Sequence, residues 1–195
     1  MGKTSVIDEA DRRRFELLAL PHLDAAYNLA RWMTRNDADA QDVVQDAAVR
    51  ALRYFSGFRG DSARPWLLQI VRHACIAWLE KNRPAEVVAL NDDDEAWQGA
   101  APASDEPQVA AMRNDDKVQV NQALASLPVA YREVLVLREM EDLSYKEISQ
   151  VAGIPVGTVM SRLARARGLM RLALAADARP VLRAVARPAS GVAKS

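Results

Sequence analysis

A chain of 195 residues holds one ordinary domain or two small ones. Half of it is hydrophobic with few glycines and prolines, which favours packed helices, and its single cysteine, Cys75, excludes an internal disulfide and any cysteine-based zinc site. The formal net charge of zero is only an average: residues 1–83 carry +2, residues 84–106 carry −7 and residues 107–195 carry +5, so basic and acidic surfaces are separate.

The opening "MGKTSVIDEADRRRF" has no apolar core of the kind a secretory signal needs, and residues 1–14 read as a flexible N-terminus. No apolar run approaches the roughly 20 residues of a membrane span, so a cytoplasmic protein without membrane insertion is expected. Residues 15–83 form the first predicted helical domain. In "DADAQDVVQDAAVRALRYF" the residues Val44, Ala48, Ala51 and Phe55 recur at helical spacing and predict one buried stripe. Asp42, Gln45, Asp46 and Arg53 remain for solvent or a partner.

A glycine- and proline-marked loop follows, then a helix on which Trp66, Ile70, Ala74 and Trp78 recur in steps of four, widened by Leu67, Val71 and Cys75. These are expected to be mostly core. On the loop and at the helix start, Phe58, Arg59, Ser62 and Arg64 mix aromatic and basic character. That mixture suits single-stranded nucleic acid, where bases stack on rings and arginines neutralise phosphate. His73 and Cys75 lie two apart without further ligands, so no metal site is expected.

Residues 84–106 read as a flexible acidic linker that includes Asp92, Asp93, Asp94 and Glu95. A coil of that length spans roughly 25–30 Å on average, enough for the two domains to touch or to separate. Residues 107–174 form the second helical domain. Ser144 and Glu147 have capping-box spacing, Ile148, Val151 and Ala152 form an inward stripe, and Gly153 supplies a left-handed turn. Pro155 and Thr158 then open a second helix whose core side is Val159, Leu163, Ala166 and Met170. Its opposite side carries Thr158, Ser161 and Arg165 with Arg162 at the edge, beside small Gly157 and Ala164; Arg171 lies nearer the rim. Hydroxyls, small residues and arginines suit a helix entering the major groove. Residues 175–195 contain two X-Pro breaks and read as a disordered tail.

The segment "LPVAYREVLVLREMEDLSYKEISQVAGIPVGTVMSRLARAR" closely resembles region 4 of the sigma-70 family, specifically the small extracytoplasmic-function sigma factors. The resemblance implies an all-α fold of two small domains, region 2 and region 4 with its helix-turn-helix, joined by a flexible acidic linker. By that resemblance Asp42, Gln45 and Asp46 dock on the clamp helices of the RNA polymerase largest subunit. Phe58, Arg59, Ser62, Arg64 and His73 would bind the −10 element. Thr158, Ser161, Arg162, Arg165 and Arg171 would bind the −35 element.

The implied partners are core RNA polymerase, promoter DNA and an anti-sigma factor, with no cofactor and no catalysis by the chain itself. The sequence departs from the family pattern at Met160, where arginine is usual, and at His73, Ala77 and Glu80, where asparagine, aspartate and arginine are usual. Two other readings stay open: an autonomous helix-turn-helix regulator, and a sigma-like decoy that binds protein but not promoters.

Overall fold

The computed structural model describes residues 8–60, 62–91 and 114–185, and helices are the regular structure found among them. The first half comprises α1 (Glu9–Leu18), α2 (Leu23–Thr34), α3 (Asp37–Tyr54), α4 (Ala63–Asn82) and α5 (Pro84–Asn91). The second comprises α6 (Asn114–Ser126), α7 (Val129–Leu135), α8 (Tyr145–Ala152) and α9 (Val156–Val185), with a π-helical turn at Val136–Met140 after α7.

Local chemistry sets the helix ends. Arg35 closes α2 in a left-handed conformation at φ 57°. Asn36 then caps α3 by accepting a hydrogen bond from the Asp39 amide at 3.1 Å. In the first half, α2, α3 and α4 pack mutually around Leu29, Met33, Leu67, Val71 and Leu79. The α3 stripe holds at Ala51 and Phe55, both buried as expected, but its earlier turns sit one position away: Ala40, Val43 and Ala47 are buried, and Val44 and Ala48 are only half-buried. Both neighbouring arcs are apolar, so periodicity does not separate them; the small alanines at 40 and 47 bring the backbone of α3 close to its neighbours.

On α4 the deepest residues are Leu67, Leu68, Val71, Cys75 and Leu79, whereas Trp66, Ile70 and Trp78 flank them. Burial there pushes the Cys75 thiol up to about 12, with the nearby Glu133 charge adding to it, so the thiol is inert at neutral pH. The second half packs α7 and α6 against α9 around Leu124, Leu127, Val134, Leu137, Val159 and Leu163.

Three boundaries differ from the sequence expectation, the first being that α1 begins at Glu9, inside the stretch read as a flexible N-terminus. The first eight linker residues are not a coil but α5, whose Val87 packs against the core. Glu86 on α5 accepts hydrogen bonds from Arg35 at 3.1 Å, Arg132 at 3.3 Å and Arg83 at 3.4 Å, which anchors the helix to both halves. The last helix continues to Val185, past the predicted end at residue 174 and through Pro180. The acids at Asp92, Asp93, Asp94 and Glu95 lie outside the described residues, as do residues 1–7 and 186–195.

The two halves are in contact. Helix α8 lies against α4, and α7 lies against α2 and α5, so one hydrophobic core runs through both.

Candidate polymerase and nucleic-acid interfaces

Helix α3 turns its polar side outward. Asp42, Gln45 and Asp46 are all exposed, as is Arg53. One turn beyond Asp46 on the same arc stands Val49, 47 % exposed, and at the C-terminal end of α3 stands the exposed Tyr54. Sequence reasoning missed both. The available signal at Val49 was an apolar residue outside the expected buried stripe and three positions after Asp46.

The loop before α4 is organised by aromatic packing. Phe58 is only 6 % exposed and stacks on Phe55 at 5.5 Å between ring centroids, with Trp66 at 5.0 Å on another side. Phe15 closes the cluster edge-on against Phe55 at 5.3 Å. The expectation that Phe58 offers a ring to a nucleotide base is therefore corrected: the ring is core. A side chain at Gly60 would come within 2.9 Å of that ring, so the loop crosses it closely only as glycine.

Arg59 is exposed, and its guanidinium donates to the Ser56 carbonyl at 2.6 Å and to the Phe58 carbonyl at 3.0 Å, which holds it on the loop's outer edge. Ser62 is exposed at the start of α4 and its hydroxyl makes no cap bond. His73 is exposed on α4. Arg64 is half-buried and donates to Glu141 of the second half at 2.7 Å. Arg59 and Ser62 border a cleft of about 710 Å³ together with Trp66, Lys146 and Gln150, whereas Arg64 and His73, nine positions apart, lie on opposite faces of α4.

The helix-turn-helix forms as its local residues dictate. Ser144 accepts from the Glu147 amide while the Glu147 carboxylate accepts from the Ser144 amide at 2.9 Å, a complete capping box. The hydrogen bonds from the Ser144 hydroxyl and amide hold the Glu147 carboxyl below its ordinary range. Gly153 ends α8 at φ 68°, and the Gly153 and Ile154 amides both reach the Ser149 carbonyl.

Ser144→Ala is expected to lower stability by about 1 kcal/mol, read as a fall in Tm of roughly 2–4 °C. Because the carboxyl is depressed in the folded state, its contribution is present above the ordinary glutamate range. It is lost as pH falls through the depressed value, so the difference between Ser144→Ala and wild type narrows in acid.

On α9, Val159, Leu163 and Ala166 are buried and Met170 is half-buried, as the spacing predicts. The outer arc is less uniform. Ser161 and Arg171 are exposed, while Thr158 and Arg165 are half-buried. Arg162 is corrected from edge to interior: it is 8 % exposed. Met160, 52 % exposed, and Leu172, also exposed, complete the outer arc. A methionine there supplies apolar contact where a cation would supply charge.

Residues 18–84 match sigma-70 region 2, and residues 117–170 match sigma-70 region 4. The RNA polymerase sigma-H factor of Pseudomonas aeruginosa is 35 % identical over 182 residues, covering 91 % of this chain and 92 % of that protein. The chain belongs to the extracytoplasmic-function sigma factors of the sigma-70 family.

The ECF RNA polymerase sigma-E factor of Escherichia coli K12 is 32 % identical over 83 % of this sigma factor and 86 % of its own length. Among solved structures, CnrH in complex with the cytosolic domain of CnrY superposes with a TM-score of 0.60 at 26 % identity, over 85 % of this chain and 90 % of that one. The Bartonella quintana sigma factor RpoE, solved with the anti-sigma factor NepR, shares the fold with a TM-score of 0.62 at 23 % identity, over 87 % of this chain and 99 % of that one.

The family assignment favours neither the autonomous regulator nor the decoy. Among the described residues no helix is long and apolar enough to cross a membrane, and no cluster of metal-ligating side chains occurs.

Proposed function

We propose that this sigma factor directs core RNA polymerase to specific promoters and assists their opening in the cytoplasm, as a non-catalytic specificity subunit. Asp42, Gln45 and Asp46 dock on the largest-subunit clamp helices, with Val49 as an apolar contact one turn beyond Asp46. Arg59, Ser62, Arg64 and His73 contact the −10 element, and Thr158, Ser161, Arg165 and Arg171 contact the −35 element. Arg162 supports that helix from its buried side.

The observation that carries the reading is the α3 face. An autonomous regulator has no use for an exposed Asp42–Gln45–Asp46 face followed by an exposed valine on one domain, beside a capped helix-turn-helix on the other. The structural neighbour CnrH was solved with the cytosolic domain of CnrY, and we extend a sigma-binding partner, an anti-sigma factor, to this chain on that ground.

The test is transcription from a promoter library with core polymerase and this subunit. Asp46→Lys is expected to weaken binding to core polymerase about five- to tenfold, near 1–1.4 kcal/mol. An exposed substitution on α3 changes folding stability by no more than about 0.5 kcal/mol. Core affinity equal to wild type would remove α3 from the docking surface.

A further inference from the structure

The first turns of α9 carry two apolar side chains on the outer side of the helix. Val156 is 39 % exposed and Met160 is 52 % exposed, while Val159, Leu163 and Ala166 form the core side. The two stand four residues apart and so share one edge of the outer arc. A long helical side chain slants back toward the N-terminus, which places Met160 over the turn that carries Val156.

Beside that edge the helix surface is bare. Gly157 and Ala164 lie at the middle of the outer arc, and a Cβ added at Gly157 would meet nothing within 4 Å. Its backbone is not left-handed either. Neither crowding nor φ therefore calls for glycine there, although glycine inside a helix costs stability relative to alanine. A bare spot does permit close approach by another molecule. On its far side come Ser161 and Arg165, and from Val156 to Leu174 the chain has four arginines and no acid, which suits a polyanion.

We infer that Met160, with Val156 beside it, is a specificity-determining residue that selects thymine at one position of the −35 element by covering its 5-methyl group. The inference rests on the assignment of α9 to −35 DNA. In the major groove the thymine methyl is the apolar group among the base edges, whereas cytosine, adenine and guanine present donors and acceptors. A thioether chain offers those polar groups almost nothing, so placing it over them strips their water without replacing it. Over a methyl it removes apolar surface from water on both sides.

The position along the helix agrees with this role. Met160 stands four residues after Val156, about 6 Å along the axis, within the N-terminal turns that read base edges. Arg165 lies five residues further on and about 140° round the helix, so the two side chains address separate base pairs.

The test is transcription at subsaturating holoenzyme from a −35 library, with wild type and Met160→Ala. Wild type is expected to prefer T at one position where Met160→Ala shows no preference. The alanine variant is expected to fold as wild type does by circular dichroism, because the position is exposed and alanine favours helix. The preferred promoter is then made with deoxyuridine in place of that thymidine, which removes the methyl and leaves every hydrogen-bonding group. Wild-type output is expected to fall about fourfold, the worth of one buried methyl. Output with Met160→Ala is expected to be equal on the two templates.

A T preference that survives in Met160→Ala, or wild-type output that is the same with thymidine and deoxyuridine, overturns the methyl contact while leaving the sigma reading intact. Absent transcription by wild type from every member of the library would instead overturn the sigma reading, and this inference with it.

Discussion

Arg132→Met is expected to lower the unfolding free energy by about 3 kcal/mol, one of the largest losses available to a single substitution outside the aliphatic core. The Arg132 side chain is fully buried. One of its terminal nitrogens donates to the Ala125 carbonyl at 3.0 Å and the Leu127 carbonyl at 2.9 Å, which satisfies the C-terminal end of α6. The other reaches Glu86 of α5 at 3.3 Å. Two charge-assisted bonds to carbonyls contribute about 1.5–3 kcal/mol each. Part of that is offset, because methionine no longer buries a guanidinium whose Nε has no hydrogen-bond partner among the described residues.

Burial, and then the neighbouring Arg35, pull the Arg132 guanidinium down to about 10, so it remains charged at neutral pH and the bonds keep their ionic strength. Arg132→Lys is expected to recover less than half of the loss, since one ammonium cannot serve the carbonyls and Glu86 with a fixed fork. Urea unfolding followed by circular dichroism measures both. A loss below about 1 kcal/mol for Arg132→Met would mean that water replaces the guanidinium at the α6 end.

The second large effect is on promoter choice. Arg165→Ala is expected to change which −35 sequences are used, with a discrimination loss of about 1–3 kcal/mol at one base pair. Arg171→Ala is expected to lower output from all sequences evenly and to reduce the salt dependence of binding by nearly one unit of slope. The distinction follows from position along α9. Base edges are read by the N-terminal turns of a recognition helix, whereas later turns pass the backbone. Arg165 stands nine residues after Val156 and Arg171 fifteen, about 14 Å and 22 Å along the axis.

Arg165 shares the outer arc with Ser161 and Leu172 but is half-buried, so its guanidinium must extend from the helix surface to reach a base. Arg171 is exposed, with its Nε donating to the Arg167 carbonyl at 3.3 Å. Transcription of a −35 library by holoenzyme carrying each variant separates the two roles. An identical, uniform loss from both would assign both side chains to phosphate.

What the amino-acid sequence determined by itself is whatever depends on neighbours a few residues away. Ser144, Glu147 and Gly153 make a cap and a left-handed turn with partners within four or five positions, so the helix-turn-helix is readable without a fold. The outward acids of α3 are equally readable, because a helix that buries any apolar arc must expose its polar one.

The tertiary structure decided the rest, because the same residue types serve two environments. Phe58 is aromatic in a basic loop, which fits a base-stacking ring, yet Phe55 and Trp66 lie close enough to absorb it into the core. The same holds for Arg162, whose charge suggested a surface that packing against the second-half core denied it. The early turns of the α3 stripe could occupy either of two adjacent apolar arcs, and only the approach of neighbours chose Ala40, Val43 and Ala47 over Val44 and Ala48. The pairs Arg64–Glu141 and Arg72–Glu133 join residues 77 and 61 positions apart. No local pattern encodes such partners, since their attraction is short-ranged in salt and exists only once two helical faces have been brought together.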